Sequence, residues 1–266
     1  MKFSIVTLAF RQREFLQEAM DSILNQDYPE IEYIVVEPGS NDGSRELIEG
    51  YGDKIAHKVF EPDRGAADGL NKGFARATGD IFGFLNGDDL LLPGALRKVA
   101  DFWQSHPEYD ILMGDGFIAD HAGKPVRRVK ATAFTPSRFI YGGATWLQQS
   151  TFFRRKAFEA VGGFNLQNRS CWDGELFVNM VAKGFRVGFL HEDLSIFRIH
   201  GASITGSRSA EQIYAADTAR IFRQLRGRDR RQSDALLSLW YRAERFLRDP
   251  GELVHTLRYR IQGRPQ

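Results

Sequence analysis

The first part of the chain alternates short runs of β-branched and aromatic residues with longer stretches whose apolar residues recur at helical spacing. The runs predict five strands, at residues 3–8, 33–37, 55–60, 81–85 and 110–113. The stretches between them predict four helices, at residues 13–25, 44–51, 66–77 and 93–106. Because alternating strands and helices form βαβ units, the pattern predicts an α/β fold with a Rossmann-like, mostly parallel central sheet flanked by helices.

Beyond residue 114 this alternation loosens and glycine becomes frequent. The pattern predicts a hairpin at 120–128, a loop at 137–143, helices at 155–161 and 174–183, a strand at 186–190 and a polar segment at 201–209. Two further helices are expected at 210–225 and 233–248, with a shorter one near 252–260. We therefore divide the chain into a 1–114 part, a 115–206 part and a helical tail at 207–266.

Composition favours one folded unit with a short appendage. With 266 residues, 42% of them hydrophobic, the chain can bury a core without cross-links. Its single cysteine, Cys171, cannot form an internal disulfide, and no run reaches the roughly 18 apolar residues of a membrane span. We expect a cytoplasmic protein, or one associated peripherally with the inner face of the cell membrane.

The tail differs from the rest of the chain in charge. It holds 13 arginines, no lysine and seven acidic residues, although the whole chain carries only +2. Such a segment suggests an anionic surface as partner or, equally, a solvated helical face. Apolar residues among the arginines, including Trp240 and Leu247, predict peripheral membrane contact or a homodimer through these helices. We expect no nucleic-acid partner.

Polar motifs follow the predicted strands, where parallel sheets place their ligand-binding loops. Asn86-Gly87-Asp88-Asp89 comes directly after an apolar strand, and its hard oxygen ligands suit Mn²⁺ or Mg²⁺ facing a diphosphate. The competing interpretation is a simple β-turn.

A second motif opens the predicted helix at 66–77. Asp68, Asn71 and Lys72 recur at helical spacing near the helix start, where free amides and the dipole favour phosphate. A capped helix with a solvated face is the alternative, and it explains Asp68 but not the surrounding glycines.

These motifs resemble glycosyltransferase family 2. The resemblance rests on segments at 4–7, 22–26, 32–36, 39–44 and 86–89, in the family's order, and extends from about residue 3 to residue 205. It implies a GT-A fold and an inverting glycosyltransferase that moves a sugar from a nucleotide-sugar donor, with a UDP-sugar favoured, to a hydroxyl. The acceptor would be a saccharide or lipid-linked saccharide, in bacterial surface-polysaccharide synthesis.

The resemblance and the two motifs together predict the donor site. Its residues are Thr7, Ala9, Phe10, Glu37, Asp68, Asn71, Lys72, Asn86, Asp88 and Arg198. The first three would border the nucleotide, Glu37 would contact the base or ribose, and Asp68 would neighbour both. The resemblance also implies that Asp89 is the metal ligand, with His200 touching the metal or diphosphate.

Asp173 matches the family's catalytic base. A carboxylate at this position would take the proton of the acceptor hydroxyl as its oxygen attacks the anomeric carbon. The same aspartate would suit a helix N-cap, and the two roles are compatible. Arg198 would pair with phosphate oxygens or with Asp173, and the aromatic ring of Trp146 would suit a sugar or the core. Glu37 and Trp172 depart from the family pattern, which has Asp and Glu there.

Two alternatives compete with a transferase. A sugar-nucleotide pyrophosphorylase uses a similar sheet, but the chain has no Gly-rich activating loop after its first strand. A catalytically degenerate nucleotide- or saccharide-binding protein would account for Glu37 and Trp172. Motifs of nicotinamide dehydrogenases and P-loop kinases are absent from the sequence.

Overall fold

A computed structural model describes residues 1–201, 208–249 and 251 of the chain. Within these ranges nine strands form one sheet. They are β1 (Phe3–Leu8), β2 (Ile31–Val36), β3 (His57–Val59), β4 (Ile81–Asn86), β5 (Leu90–Leu91), β6 (Ile111–Ala119), β7 (Pro125–Val129), β8 (Thr151–Arg154) and β9 (Val187–Arg198). The α/β class that the hydrophobic pattern predicts is confirmed.

The strand order is β3-β2-β1-β4-β8-β6-β9-β5, with β7 paired to β6. Strands β3, β2, β1 and β4 run parallel, β8 runs antiparallel to both its neighbours, and β6 and β9 are parallel. In β1, Leu8 pairs with Val36 of β2 and with Asn86 of β4. The loops that follow these three strands therefore begin side by side at one edge of the sheet.

Helices cover both faces of the sheet. They are α1 (Arg13–Leu24), α2 (Ser44–Gly50), α3 (Ala66–Phe74), α4 (Ala95–Ser105), α5 (Pro136–Ile140), α6 (Arg155–Val161), α7 (Trp172–Ala182), α8 (Arg208–Arg226) and α9 (Asp234–Arg248). Alternate residues of β1 point to opposite faces, so that Ile5 joins a core with α1 and α4 and Val6 joins a core with α3 and α7.

Several predicted elements differ in the structure, among them the strand predicted at 110–113, which extends to Ala119 as β6. Part of the expected loop at 137–143 is helix α5, which the Thr135 side chain caps by accepting a hydrogen bond from the Arg138 amide, with Pro136 in the first turn. The expected strand at 186–190 extends to Arg198 because β9 pairs with both β6 and β5. The helix predicted near 252–260 lies outside the described residues.

Both described tail helices pack on the α/β unit. From α8, Ile221 and Phe222 are buried in the core, and burying a phenylalanine contributes about 1.5–3 kcal/mol. Arg220 binds both oxygens of Glu175 on α7, at 2.5 and 2.7 Å. From α9, the Tyr241 ring stacks on Tyr141 at 5.6 Å. The division of the chain at residue 207 stays a prediction.

The opposite side of α9 is an exposed apolar stripe. Leu236, Leu239, Trp240 and Leu247 are spaced along one helix face and are 63–81% exposed. A contact with a membrane or a second copy through the tail would need such a surface, and both stay predictions. Among the described residues, no helix is long and apolar enough to cross a membrane.

Candidate functional site

The loops after β1, β2 and β4 meet at the edge of the sheet where these strands end. The Ala9 amide donates to the Val36 carbonyl at 2.9 Å, and the Gly87 amide donates to the Leu8 carbonyl at 3.0 Å. The Gly87 amide also donates to Oε1 of Gln12 at 3.1 Å, and a Cβ at Gly87 would lie 2.6 Å from this oxygen, so a side chain here would displace the end of Gln12. The predicted convergence of strand-end motifs is thus present in the structure.

Asp89 lies in the turn at 86–89, at the end of β4, and is fully buried. Its Oδ1 accepts a hydrogen bond from the Arg198 amide at 3.0 Å, and its Oδ2 accepts from Gln149 at 2.7 Å and Asn86 at 3.1 Å. Burial, and then the charge of Asp88, raise the pKa of Asp89 well above its ordinary value, against the effect of these hydrogen bonds. Asp89 therefore anchors the turn from within.

Asp88 has a different environment. Its Oδ2 lies 3.0 Å from Nε2 of His200, whose ring packs against Phe15 at 4.7 Å between centroids. The pair presents one carboxylate and one imidazole, both acceptable ligands for Mn²⁺. The oxygens of Asp89 accept hydrogen bonds from three N–H donors, whereas Asp88 lies next to His200. The assignment of the metal to Asp89 stays a prediction.

These two side chains are too few to hold a cation alone. In the described part of the chain, no group of three or more His, Cys, Asp or Glu side chains is arranged to bind a metal. A divalent cation usually has about six ligands. Residues Asp88 and His200 therefore fit a cation whose remaining ligands come from a diphosphate and water.

Arg198 braces the turn. It is 3% exposed, and its guanidinium donates to the Asp88 carbonyl at 3.0 Å, the His121 carbonyl at 2.9 Å and the Glu18 carboxylate at 2.6 Å. Each of its three nitrogens therefore donates at least one hydrogen bond within the protein. The pairing of Arg198 with phosphate or Asp173 stays a prediction.

Glu37 follows β2 and carries an unsatisfied atom. The side chain is 1% exposed, and its Oε1 accepts hydrogen bonds from the amides of Gly39, at 3.0 Å, and Ser40. Its Oε2 is buried and has no hydrogen-bond partner among the described residues. Leaving such an acceptor unpaired costs about 1–3 kcal/mol. Glu37 is therefore prepared to accept an N–H from a ligand.

The three predicted nucleotide neighbours on the β1 side differ in exposure. Thr7 is buried, and its hydroxyl accepts a hydrogen bond from Tyr33 at 2.9 Å, so this side chain belongs to the core. Ala9 is also buried, whereas Phe10 is 51% exposed at the edge of the loop. Of the three, Phe10 alone has an exposed side chain, and the prediction that these residues border the nucleotide stays a prediction.

Asp68 and an unpredicted neighbour, Asp63, lie close to Glu37. Arg64 donates to Asp68 from its amide at 3.0 Å and from its guanidinium at 3.2 Å, which lowers the pKa of Asp68. Burial raises the pKa of Asp63, and the charges of Asp68 and Glu37 add to that effect. Asp63 stands in the Pro-Asp-Arg-Gly loop after β3, so its place at a strand end was the signal that could have identified it.

The other two residues of the α3 motif bind neighbouring protein groups. The Asn71 side chain donates to the Phe164 carbonyl and accepts from the Phe164 amide, both at 2.9 Å. Lys72 donates to the Pro62 carbonyl. These polar atoms secure adjacent loops, and the role of the two residues in donor binding stays a prediction.

Asp173 lies in the first turn of α7, after the N-cap residue Cys171. Its side chain is partly exposed at the surface of an aromatic cluster, in which Trp146 packs on Phe134 at 5.1 Å and Phe139 at 5.7 Å. Burial raises the pKa of Asp173, although hydrogen bonds from the Gly174 amide and the Trp146 side chain oppose the rise. A carboxylate with a raised pKa is a better proton acceptor.

The segment at 146–149 connects Asp173 with the turn at 86–89. Trp146 contacts Asp173, and Gln149, three residues later, donates to Asp89. Between them, Gln148 donates to the Phe84 carbonyl of β4 at 2.6 Å. The segment thus ties the candidate base to the turn at 86–89, a role for Gln149 that sequence reasoning missed.

Comparison with known proteins agrees with this geometry. A family model described as glycosyl transferase family 2 matches residues 4–169. The putative teichuronic acid biosynthesis glycosyltransferase TuaG of Bacillus subtilis (strain 168) is 27% identical over 218 residues, which cover 77% of this chain and 82% of TuaG. The predicted resemblance to the family is confirmed.

Solved structures share the fold. S. aureus TarS 1–349 in complex with UDP-GlcNAc has a TM-score of 0.67 and 18% identity, covering 99% of this chain and 76% of that one. The mannosyltransferase PcManGT from Pyrobaculum calidifontis, in complex with GDP-Man and Mn²⁺, has a TM-score of 0.64 and 17% identity with the same coverages. The predicted GT-A fold is confirmed.

The shared region is only part of several relatives. The chain spans 66% of the length of two further curated glycosyltransferases that it matches and 33% of a third.

Proposed function

Because the chain belongs to glycosyl transferase family 2, we propose that it transfers a sugar, with inversion, from a nucleotide-sugar donor to a hydroxyl of a saccharide or lipid-linked saccharide. One observation carries the proposal. The strand-end loops bring an unpaired Glu37 oxygen and the Asp88–His200 pair to one edge of the sheet, and the 146–149 segment ties the Asp173 carboxylate to that edge.

Glu37 is the proposed contact to the nucleobase. Its buried Oε2 would accept the N–H that uracil or guanine presents, which would give the oxygen the partner it lacks. The solved relatives described above bind UDP-GlcNAc and GDP-Man. We favour a UDP-sugar, with the exposed ring of Phe10 at the edge of the same loop.

Asp88 and His200 are the proposed ligands of Mn²⁺ or Mg²⁺. An imidazole is a softer donor than Mg²⁺ prefers, so Mn²⁺ suits this pair better. A bound cation supplies charge neutralisation to the departing nucleoside diphosphate. Arg198 contributes by fixing the Asp88 backbone, and Asp89 by closing the turn beneath it.

Asp173 is the proposed general base. It would take the proton of the acceptor hydroxyl as that oxygen attacks the anomeric carbon from the face opposite the nucleotide, in a single displacement. Trp146 would orient the carboxylate through its indole N–H and present its ring to the sugar. The name of the relative TuaG supports a role in bacterial surface-polysaccharide synthesis.

Turnover of donors tests the proposal directly. UDP-, GDP- and dTDP-sugars would be incubated with the chain, with and without Mn²⁺, and nucleotide release measured. We expect slow Mn²⁺-dependent release from one donor class and its loss in Asp88→Ala. Binding of a donor without release under any condition would favour the degenerate binding protein, and pyrophosphate-dependent release of a sugar phosphate would favour the pyrophosphorylase.

A further inference from the structure

A shallow cavity of about 440 Å³ lies along the N-terminal half of α9, on the tail. Its wall combines arginine side chains with apolar ones. The cavity is lined by, among others, Arg230, Arg231, Ala235, Leu239 and Arg242. Neither the donor loops nor the proposed base contributes to this wall, so the transfer mechanism leaves the cavity unexplained.

In the part of the chain that the structure describes, no free carboxylate neutralises the arginines of the cavity. The guanidinium groups of Arg231 and Arg242 make no hydrogen bond or ion pair with the described part of the chain. Arg230 donates to the Ile140 carbonyl and lies over the Phe222 ring at 4.6 Å, without a carboxylate partner.

The acid in the wall, Asp234, cannot neutralise these cations. It is 2% exposed, and its two oxygens already bind Arg228 at 2.7 and 2.9 Å and the Tyr141 hydroxyl at 2.8 Å. By contrast, Arg220 elsewhere on the tail is paired with a buried carboxylate. Within the described ranges, three arginines therefore face one cavity with no free carboxylate opposite them, an arrangement that suits a phosphate group.

Packing places the cavity near the proposed base. Arg230 binds the backbone of Ile140, and the preceding residue, Phe139, packs so tightly on Gly174 that a side chain at Gly174 would collide with its ring. Gly174 directly follows Asp173.

An apolar surface continues from the cavity. Leu239 lines the cavity and also belongs to the exposed stripe of α9, next to Trp240, which is 66% exposed. Leu236 extends the same surface by a turn and is 71% exposed. Cationic side chains beside an exposed apolar strip match a phosphate ester that carries a hydrocarbon chain.

We propose that this cavity binds the phosphate of a lipid-phosphate-linked acceptor, with Arg230, Arg231 and Arg242 holding the phosphate. Leu239 and Trp240 contact the first carbons of the lipid. The saccharide beyond the phosphate then extends toward Asp173. The inference rests on the proposed function, since it names the acceptor of that reaction.

Binding of dodecyl phosphate, below its critical micelle concentration, tests the inference without donor or metal. Isothermal titration calorimetry and Trp fluorescence would compare it with inorganic phosphate and with dodecyl maltoside on the full chain. We expect saturable binding of dodecyl phosphate, about tenfold or more tighter than either comparison ligand, which corresponds to about 1.4 kcal/mol.

Matched variants test whether binding depends on the arginines of this cavity or on the overall positive charge of the chain. Arg231→Gln with Arg242→Gln should weaken dodecyl phosphate binding about tenfold or more. Arg223→Gln with Arg155→Gln also removes two charges, from exposed pairs with Asp229 and Glu159, and should change the binding less than about twofold. Equal weakening by the control, or none by the double variant, would overturn the proposal.

Two further outcomes would also overturn it. Inorganic phosphate binding as tightly as dodecyl phosphate would exclude the lipid, and dodecyl maltoside binding as tightly would reduce the site to apolar adsorption. Asp88→Asn and Asp173→Asn should bind dodecyl phosphate as the unaltered chain does. Failure of lipid binding alongside normal donor turnover would therefore refute the inference alone, whereas the reverse would refute the proposed function alone.

Discussion

The donor side and the acceptor side of the proposed active site are built from different interactions. On the donor side, the turn at 86–89 is held by hydrogen bonds from Gln149 and Arg198 that leave few polar atoms free. On the acceptor side, Asp173 lies against aromatic rings, and burial raises its pKa. Burial raises the pKa of Asp89 too, but three N–H donors hold that side chain in place, whereas Asp173 is partly exposed. Changes to the two sides should therefore have separable effects.

The largest effect is expected at Asp173, on the acceptor side. Asp173→Asn removes proton abstraction, which should lower kcat about 10²–10⁴-fold. Donor affinity should stay within about threefold of the unaltered chain, because the donor loops are untouched. Steady-state kinetics with donor titration would check this. A normal kcat, or a loss confined to KM, would contradict the assignment of the base.

On the donor side, variants of Asp88 and of Asp89 should have different effects. Asp88→Asn should weaken Mn²⁺ binding in the presence of nucleotide at least about tenfold, since loss of even an outer-shell partner has that effect. Calorimetric titration of Mn²⁺ would measure it, with thermal unfolding as the check on folding.

Asp89→Asn is the matched comparison. Its amide must turn an N–H toward one of the donors from Arg198, Gln149 or Asn86, which should cost about 1–3 kcal/mol of unfolding free energy. If Asp89→Asn instead kept full stability and lost Mn²⁺ binding while Asp88→Asn kept it, the order of the two roles would be reversed.

Glu37→Gln should weaken nucleotide binding and have little effect on the stability of the fold. Gln can keep Oε1 as acceptor for Gly39 and Ser40, but it places an N–H where the unpaired Oε2 stood. Nucleotide binding should weaken by about 1.5–3 kcal/mol, the usual contribution of a hydrogen bond to a charged group. The melting temperature should change little, because a buried oxygen without a partner is replaced by a buried amide N–H without one. Unchanged UDP affinity in calorimetry would place the base elsewhere.

The smallest expected effect concerns the pH profile. Asp173 must be deprotonated to act, and its raised pKa sets the acid limb of kcat/KM above the ordinary carboxyl range. Trp146→Phe removes an N–H that stabilises the charged form, so the limb should move to higher pH. Rates measured across the acid range would show the direction, and a limb that moved to lower pH would refute the contact.

Local patterns were sufficient for most of the fold. Alternating apolar runs located β1 and β4, and helical spacing located α1 and α4, because these elements follow from the residues' own periodicity. Helix α5 was missed because it has only five residues. The length of β9 was missed because pairing with β5 and β6, which are distant in sequence, sets it.

The location of the candidate site was predictable from the sequence, but the hydrogen bonds within it were not. Strand-end position identified Glu37 and the turn at 86–89. Which polar atoms remain available to a ligand depends on hydrogen-bond partners that are distant in sequence. Gln149 is 60 residues from Asp89, and Glu18 is 180 residues from Arg198. The roles of Asp88 and Asp89 therefore could not be separated from the motif alone.

The anomeric configuration of the first product tests the central claim most directly. Proton NMR would follow the donor class that supports Mn²⁺-dependent turnover, with an acceptor or with water in its place. A single displacement predicts a product whose anomeric configuration is opposite to that of the donor, formed by the unaltered chain and not by Asp88→Asn. A product that retains the donor's configuration would contradict the account.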